Sequence, residues 1–426
     1  MICSPSALNN LPARSSRKVS VPTDPDYMRL ALRLARRGYG ATSPNPMVGA
    51  VLVKAGRVIG RGWHRRAGGP HAEIEALGDA QRRNHRVRGA TLYVTLEPCC
   101  TQGRTPPCTE AIIAARLSKV VAGATDPNPL HAGRGLALLR KAGLAVAHGV
   151  LAEPCERLNL AFNHWIVGRT PLVTVKAAMT LDGKIATASG ESKWITGERA
   201  RNYAMKLRQG ADAILVGINT ILADDPSLTV RAGQSRRPEA GGHRLRRIVL
   251  DSMARTPLGA KVASDDPGTL TTIVVGESAP ARRVAALAAR VNVLVAPPAQ
   301  AARRQAGPGS QRVDLPWLMK KLGADNVTSL LVEGGGEVNA AFLFQGLAQR
   351  IVFFYAPKVL GGRGSRPAVA GIGALAMDQT LNLSQVQWRR LGPDWLLAAR
   401  VQEPVRGGHA LGGSVAGLRR APRSSW

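Results

Sequence analysis

Segments typical of strands alternate with segments typical of helices along most of this chain, and that alternation restricts the fold more than any other feature. From Asp24 onward the spacing of apolar residues switches between the strand and helix periods in the order αββαβαβαβ. Within the first half, a Gly turn at "KAGR" is predicted to join two strands. The alternation restarts after residues 168–171, "GRTP", which we interpret as a linker. The second half includes a predicted strand at "DAILVGINT" and a β-rich end near "WLLAARVQ". The pattern predicts two α/β domains, the first of them an α/β sandwich.

The length of 426 residues and the apolar content of 45% also suit two domains with real cores. We expect a disordered basic extension at 1–23, a first domain at 24–168, a second domain at 169–403 and a disordered basic tail at 404–426. The extension lacks the apolar core of a signal peptide. It contains Ser and Arg and almost no acid, so an organelle transit peptide and a bacterial extension both fit it, and we expect a cytoplasmic protein.

The formal net charge is +30, from 58 basic and 28 acidic residues. Such an excess can indicate nucleic acid, a membrane surface or anionic ligands as partners. Here it is spread over the tails and loops such as "VRAGQSRRPEAGGHRLRR", without the aromatic residues on which bases stack. No apolar run approaches the length of a membrane span. We therefore predict a small-molecule substrate rather than nucleic acid or a membrane.

Three of the five cysteines lie within ten residues, in "PCCTQGRTPPC", downstream of "HAE". A clustered, odd number of cysteines indicates a reducing compartment and a metal site rather than a disulfide framework. His71 with Cys99 and Cys108 offers one imidazole and two thiolates, a zinc ligand set that leaves a position open for water. Cys100 is expected to point away. A closed structural zinc site is the alternative, but it needs a fourth ligand that nothing nearby supplies.

Glu73 stands two residues after His71, at the start of the same predicted helix. That spacing allows its carboxylate to move protons for a water that zinc activates, without binding the metal itself. His-x-Glu followed by Pro-Cys-x-x-Cys is the signature of zinc nucleobase deaminases. In this chain eight residues separate Cys99 from Cys108, so the loop between the two ligands is longer.

The second half of the chain contains no G-x-G-x-x-G fingerprint, which disfavours a Rossmann domain. The stretch "SLLVEGGGEVN" instead predicts a strand, three glycines and a helix. Backbone amides at such a helix start can hold a phosphate. A tight strand–helix turn explains the glycines equally well, so both interpretations stay open.

The stretches "TSPNPMVGAVLV", "GGPHAE", "YVTLEPC" and "GRTPPC" resemble the deaminase half of the bifunctional riboflavin-biosynthesis family. The stretches "VKAAMTLDGKIA", "ILVGINTILADDPSLTVR", "VEGGG" and "APKVLGG" resemble its reductase half. The resemblance implies a cytidine-deaminase-like α/β/α sandwich followed by a dihydrofolate-reductase-like α/β domain. It also implies zinc-dependent deamination of 2,5-diamino-6-(5-phosphoribosylamino)pyrimidin-4(3H)-one, then NADPH-dependent reduction of the ribosyl group to ribityl.

In the deaminase half the resemblance implies zinc on His71, Cys99 and Cys108, with Glu73 as the proton donor. It also suggests that Asn45 contacts the pyrimidine, although Asn45 stands between two prolines and a plain turn residue is an equal alternative.

In the reductase half the resemblance assigns residues by position. The cofactor-facing residues are Ala178, Trp194, Thr220, Asp224, Ser252, Gly334, Gly335 and Gly336. The substrate-facing residues are Ser192, Arg208, Leu228, Arg231 and Glu333, with Lys176 as a further candidate. Arginines suit a phosphate because their planar donors match its oxygens, but in a chain so rich in arginine they also occur as ordinary surface residues.

One departure separates this chain from the family, which usually reads "EPCSHxGRTPPC". Cys100 stands at the usual Ser and Thr101 at the usual His, which lies beside the substrate. A protein with an impaired deaminase half is therefore one alternative function. A nucleic-acid base deaminase or RNA-binding protein, suggested by the charge, is another. The resemblance also implies a homo-oligomer formed through the reductase domain.

Overall fold

The structure, a computed structural model, describes residues 22–103, 106–230, 245–265, 270–299 and 313–402. Residues 1–21 of the extension predicted at 1–23, the whole tail predicted at 404–426 and the predicted substrate residue Arg231 lie outside these described ranges. The described chain divides into two compact units. One contains the residues up to Thr174 and Glu198–Gly334, and the other contains Val175–Gly197 and the residues from Gly335 onward.

The N-terminal part of the first unit is one five-stranded sheet with helices packed on it. Its strands are β1 (Gly49–Lys54), β2 (Arg57–Trp63), β3 (Thr91–Leu96), β4 (Lys119–Ala124) and β5 (Ala145–His148). Its helices are α1 (Asp24–Ala35), α2 (Ala72–Arg82), α3 (Cys108–Ala114), α4 (Arg134–Lys141), α5 (Ala152–Leu158) and α6 (Leu160–Gly168). The predicted order αββαβαβαβ is confirmed, and α5 and α6 follow it.

The strand order in this sheet is β2-β1-β3-β4-β5. β1 is antiparallel to β2 and β3, whereas β3, β4 and β5 run parallel. The first strands are joined by the turn predicted at "KAGR", where Ala55 and Gly56 both have positive φ, as a tight hairpin requires. Parallel β3 and β4 send their carboxyl ends to one edge of the sheet, and the cysteine loop starts at that edge.

The first unit continues with the strands β8 (Ala213–Gly217), β9 (Arg246–Leu250), β10 (Thr271–Gly276), β11 (Asn292–Ala296) and β12 (Ser329–Val332). They run parallel in the order β11-β10-β9-β8-β12. The helices here are α7 (Glu198–Gln209), α8 (Ile218–Asp224), α9 (Lys261–Ser264), α10 (Ala281–Ala288) and α11 (Leu315–Ala324). Ile214, Val216, Val249, Ile273 and Val275 form the centre of its core.

The second unit contains most of β6 (Leu172–Thr180), which begins in the first unit. It also contains β7 (Lys184–Ala186), α12 (Gly336–Phe344), β13 (Arg350–Ala356), β14 (Arg366–Pro367), β15 (Leu383–Leu391) and β16 (Asp394–Val401). Four of these strands pair in the order β6-β13-β16-β15. β16 is antiparallel to both β13 and β15. The predicted β-rich end of the domain at "WLLAARVQ" is confirmed.

Two sequence predictions need correction. The segment "DAILVGINT" was expected to be all strand, but the strand ends at Gly217 and Ile218 starts α8, because Ile218 and Ile221 bury one helical face. Gly168 is the last residue of α6 rather than part of the linker, so residues 169–171 connect α6 to β6. Within the described part of the chain, no helix combines the length and apolarity needed to cross a membrane.

Candidate active site

The structure gathers the three predicted metal ligands in one place. One ligand atom each from His71, Cys99 and Cys108 lies within 4.8 Å of the others. Nδ1 of His71 is 3.5 Å from Sγ of Cys99 and 3.3 Å from Sγ of Cys108. One imidazole nitrogen and two sulfurs converging at such distances form a donor set that fits zinc and leaves a coordination position for water.

Each ligand is placed by the end of a secondary-structure element. His71 is the N-cap residue of α2, Cys99 lies three residues after β3, and Cys108 is the first residue of α3. The backbone N–H of Cys108 donates to Sγ of Cys99 over 3.3 Å. The start of a helix therefore stabilises negative charge on the cysteine that follows the preceding strand.

Glycines on β2 let α2 approach the sheet closely. A Cβ atom on Gly62 would meet the backbone of Ala72 and Ala76, and one on Gly60 would meet the carbonyl of Ala76. Ala72 and Ala76 are themselves fully buried. This contact of small residues fixes the first turn of α2, which carries Glu73 and follows His71 directly.

A hydrogen bond joins the two cysteines and displaces their pKa values in opposite directions. A hydrogen bond from the Cys108 thiol, followed by one from His71, holds the pKa of Cys99 well below its ordinary value. The same contact with Cys99, together with burial, raises the pKa of Cys108. The hydrogen bond to Cys99 also raises the pKa of His71. These contacts favour negative charge on Cys99, and a thiolate is a donor that a soft cation such as zinc binds well.

Glu73 is buried beside this cluster, with 3% of its surface exposed. Burial raises the pKa of Glu73 to about 7, and the negative charge of Cys99 adds to the rise. A carboxyl group that titrates near neutral pH can both accept and return a proton in one reaction cycle. This is the property that the predicted proton donor requires.

Asn45 is held by a histidine that the sequence interpretation missed. Nδ1 of His64 is 2.9 Å from the carbonyl oxygen of Pro70, which can only accept, so Nδ1 carries the proton. Burial lowers the pKa of His64 and favours its neutral form. Nε2 then accepts from Nδ2 of Asn45 over 3.1 Å, which orients the amide. The rings of His64 and His71 lie edge to face at 5.4 Å, so this amide is close to the ligand cluster.

Cys100 lies outside the ligand cluster, and its sulfur contacts another histidine that the sequence interpretation missed. Sγ of Cys100 is 3.6 Å from Nδ1 of His131, and Oγ1 of Thr101 is 3.4 Å from Nε2 of the same ring. His131 belongs to the loop between β4 and α4. Nothing in the linear spacing indicated this contact.

In the parallel strands of the first unit, several predicted reductase residues lie at one edge. Thr220 and Asp224 are on α8, directly after β8. Ser252 follows β9, and Glu333 with Gly334 follows β12. β8 pairs in parallel with both β9 and β12. The carboxyl edge of neighbouring parallel strands is where α/β proteins bind ligands.

Arg208 and Glu333, both predicted to face the substrate, bind each other. Nε and one terminal nitrogen of Arg208 donate to the two carboxylate oxygens of Glu333, each over 2.9 Å. The other terminal nitrogen donates to the carbonyl of Thr229 over 3.2 Å, next to the buried Leu228. Arg208 and Glu333 are therefore in contact, and Thr229, the neighbour of Leu228 in the chain, accepts from the same guanidinium group.

The remaining predicted reductase residues lie in the second unit. Lys176 and Ala178 are on the same half-buried face of β6, and Nζ of Lys176 is 5.8 Å from the ring centre of Phe354. Ser192 is half-buried, whereas Trp194 is 60% exposed and its carbonyl accepts from Nζ of Lys358 over 2.8 Å.

The glycine run joins β12 to α12, as predicted. A Cβ atom on Gly336 would meet the carbonyl oxygen of Pro367 and the side chain of Ala370. A Cβ atom on Gly335 would stand in open space. Tight packing therefore explains Gly336 but does not explain Gly335.

Comparison with known protein families assigns both halves of the chain. The cytidine and deoxycytidylate deaminase zinc-binding region matches residues 22–124. The RibD C-terminal domain matches residues 171–397. The expected combination of a cytidine-deaminase-like domain with a riboflavin-type reductase domain is thus confirmed.

Relatives match along nearly the whole chain. The riboflavin biosynthesis protein RibD of Actinobacillus pleuropneumoniae is 42% identical over 395 residues, covering 93% of this chain and 99% of that protein. RibD of Escherichia coli is 40% identical, covering 87% of this chain and 97% of that protein.

Solved structures agree with these relatives. A structure of Acinetobacter baumannii RibD has a TM-score of 0.75 at 35% identity, covering 89% of this chain and 99% of that one. The diaminohydroxyphosphoribosylaminopyrimidine deaminase/5-amino-6-(5-phosphoribosylamino)uracil reductase of Thermotoga maritima has a TM-score of 0.72 at 31% identity, with the same coverage. The chain therefore belongs to the RibD family of riboflavin biosynthesis proteins, which join a deaminase to a reductase.

Proposed function

We propose that the chain catalyses two consecutive steps of riboflavin biosynthesis. The first is hydrolytic deamination of 2,5-diamino-6-(5-phosphoribosylamino)pyrimidin-4(3H)-one, which releases ammonia. The second is NADPH-dependent reduction of the ribosyl group of the deaminated product to ribityl. The observation that carries the proposal is the convergence of His71, Cys99 and Cys108 beside the buried carboxyl group of Glu73.

In the deamination step, His71, Cys99 and Cys108 would hold the zinc ion. Bound zinc supplies a Lewis acid that makes water nucleophilic near neutral pH. The carboxylate of Glu73 takes a proton from the attacking water and returns it to the departing amine, which leaves as ammonia. The second proton of the water ends on the ring nitrogen, so that a carbonyl replaces the amine. Burial of Glu73 raises its pKa above the ordinary value of a carboxyl group, which favours the return of the proton. Asn45, oriented by His64, would hold the pyrimidine.

In the reduction step, NADPH supplies the hydride. We propose that Thr220, Asp224, Ser252 and Gly334 bind the cofactor from the carboxyl edge of the parallel strands. Ala178, Trp194, Gly335 and Gly336 are assigned to the same cofactor by their place in the family pattern.

For the substrate of this step, Arg208 is proposed to bind the phosphate, with its guanidinium held in place by Glu333. Ser192, Leu228 and Arg231 are assigned to the substrate by the same pattern. Lys176 would polarise the ribose carbonyl.

Each of the two proposed activities is assigned to one domain of the chain. We propose a deaminase domain at 24–168 and a reductase domain at 169–403, supported by family matches at 22–124 and 171–397. A cytoplasmic location and a homo-oligomer assembled through the reductase domain complete the proposal.

A two-step turnover assay on the zinc-loaded protein tests the function. The diamino substrate is given without NADPH while ammonia is followed, and NADPH is then added and its absorbance followed. The proposal predicts ammonia first and NADPH oxidation second. Oxidation of NADPH only on previously deaminated substrate would show an impaired deaminase half. If the protein releases no ammonia and oxidises no NADPH, but shifts the mobility of RNA in a salt-sensitive way, a nucleic-acid-binding function would be favoured instead.

A further inference from the structure

His131 contacts the loop that begins at the proposed zinc ligand Cys99. Its Nε2 is 3.4 Å from Oγ1 of Thr101, and its Nδ1 is 3.6 Å from Sγ of Cys100. The ring therefore lies against the two residues that directly follow Cys99. The ring is half-buried and Thr101 is exposed, so solvent reaches both residues beside the loop that starts at Cys99.

A single buried carboxylate fixes the position of the His131 loop. Glu97, which is 3% exposed, accepts from the backbone N–H groups of Asp126 at 3.1 Å, Gly133 at 2.9 Å and Leu136 at 3.2 Å. Residue 97 is two positions before Cys99 in the chain. The same side chain thus ties the end of β3 to the start of α4, and the distance between Cys99 and His131 is set by the fold.

A close approach of the backbones reinforces this tie. A Cβ atom on Gly135 would meet the carbonyl oxygen of Pro98. The backbone N–H of His131 donates to the carbonyl of Asn128 over 2.8 Å, which closes the turn that carries the imidazole. His131 is consequently held in place rather than carried on a free loop.

The chemistry of the proposed substrate indicates what this ring would meet. The reacting carbon has to lie at the cluster beside Glu73, which is buried, so the phosphoribosyl group must extend toward solvent. Thr101 is exposed two residues after Cys99, at the position where the family resemblance places a histidine. His131 brings an imidazole to the same place from another loop.

We propose that His131 is a substrate-binding residue of the deaminase site, which donates a hydrogen bond to the phosphoribosyl group in place of a histidine at position 101. This inference rests on the proposed function. It predicts that the "CCTQ" sequence does not impair deamination, because the missing donor is supplied across the loop.

The test compares His131→Ala with His148→Ala, a matched change of an exposed histidine at the end of β5. His131→Ala is expected to raise the KM for deamination about tenfold, the size of one charge-assisted hydrogen bond, with kcat within about twofold of wild type. Zinc content and NADPH oxidation on deaminated substrate should not change. His148→Ala should behave like wild type in every measurement.

A double variant that transfers the histidine from position 131 to position 101 gives a second, independent measurement. In the Thr101→His/His131→Ala double variant, KM should return to within about threefold of wild type, since Thr101 and His131 are in contact. An unchanged KM in His131→Ala, or a loss of zinc or of folding in that variant, would overturn the inference. A double variant no better than His131→Ala would do the same. Wild-type protein that releases no ammonia would instead refute the proposed function, and the inference with it.

Discussion

Cys108 donates its backbone N–H to the sulfur of Cys99 over 3.3 Å, although eight residues separate them in the chain. The contact joins the end of β3 to the first residue of α3. It brings Sγ of Cys99 to the first turn of α3, and both sulfurs lie within 3.5 Å of Nδ1 of His71. The long loop between the ligands therefore preserves the donor set.

Zinc content should depend on these two cysteines and not on their neighbour. Cys99→Ser and Cys108→Ser should each lose most bound zinc, because a serine hydroxyl is a much poorer zinc ligand than a thiolate. Cys100→Ser should keep about one zinc ion per chain. Metal analysis of the three purified variants checks this. Retention of zinc in Cys99→Ser, or its loss in Cys100→Ser, would show that the ligand set is wrong.

The residues of this ligand set could be predicted because they form a compact linear motif. His-x-Glu, Pro-Cys and a third cysteine restrict the metal chemistry through residue type and spacing alone. His64 and His131 could not be predicted in the same way. Each acts through a contact with a distant loop, and that contact depends on how α2 and α4 pack on the sheet.

The Arg208–Glu333 pair should contribute to stability as well as to binding. The side chains are 16% and 9% exposed, so removing one charge leaves the other poorly compensated. Glu333→Gln should lower the free energy of unfolding by about 3 kcal/mol and lower reductase activity. The surface pair Lys321–Asp325 is the control, since Asp325→Asn should cost less than about 1 kcal/mol. Urea denaturation measures the free energy of unfolding of both variants. Equal losses in Glu333→Gln and Asp325→Asn would show that the Arg208–Glu333 pair is no more stabilising than a surface pair.

This pairing also marks a limit of sequence interpretation. Arg208 and Glu333 stand 125 residues apart, and position alone suggested two independent substrate contacts. The alternation of strands and helices predicted most elements, because a long periodic segment gives a strong signal. Short helices such as α8 were missed because seven residues with two buried isoleucines give too weak a period.

The start of α1 predicts a pH-dependent contribution to stability. Asp24 accepts from the hydroxyl of Tyr93 over 2.6 Å and from Nζ of Lys119 over 3.0 Å. The Tyr93 hydrogen bond, and then Lys119, lower the pKa of Asp24 below 3.8. A carboxyl with a lowered folded-state pKa stabilises the fold above its unfolded pKa and loses that effect as pH falls through the folded value.

Asp24→Asn should therefore destabilise the protein at about pH 6, and the difference from wild type should shrink below about pH 4. Tyr93→Phe removes the largest cause of the shift and should weaken this pH dependence. Urea midpoints measured across this range check both variants. A deficit of Asp24→Asn that stays constant with pH would contradict the assignment.

The central claim is that one chain carries two separate active sites, and Glu73→Gln tests it most directly. The variant keeps the shape of the side chain and removes the proton carrier. Ammonia release should fall at least about a hundredfold, while zinc content and NADPH oxidation on deaminated substrate stay at wild-type levels. Glu75→Gln, in the same turn of α2 and paired with Arg65, should release ammonia normally. Unimpaired ammonia release by Glu73→Gln, or loss of both activities together, would contradict the account.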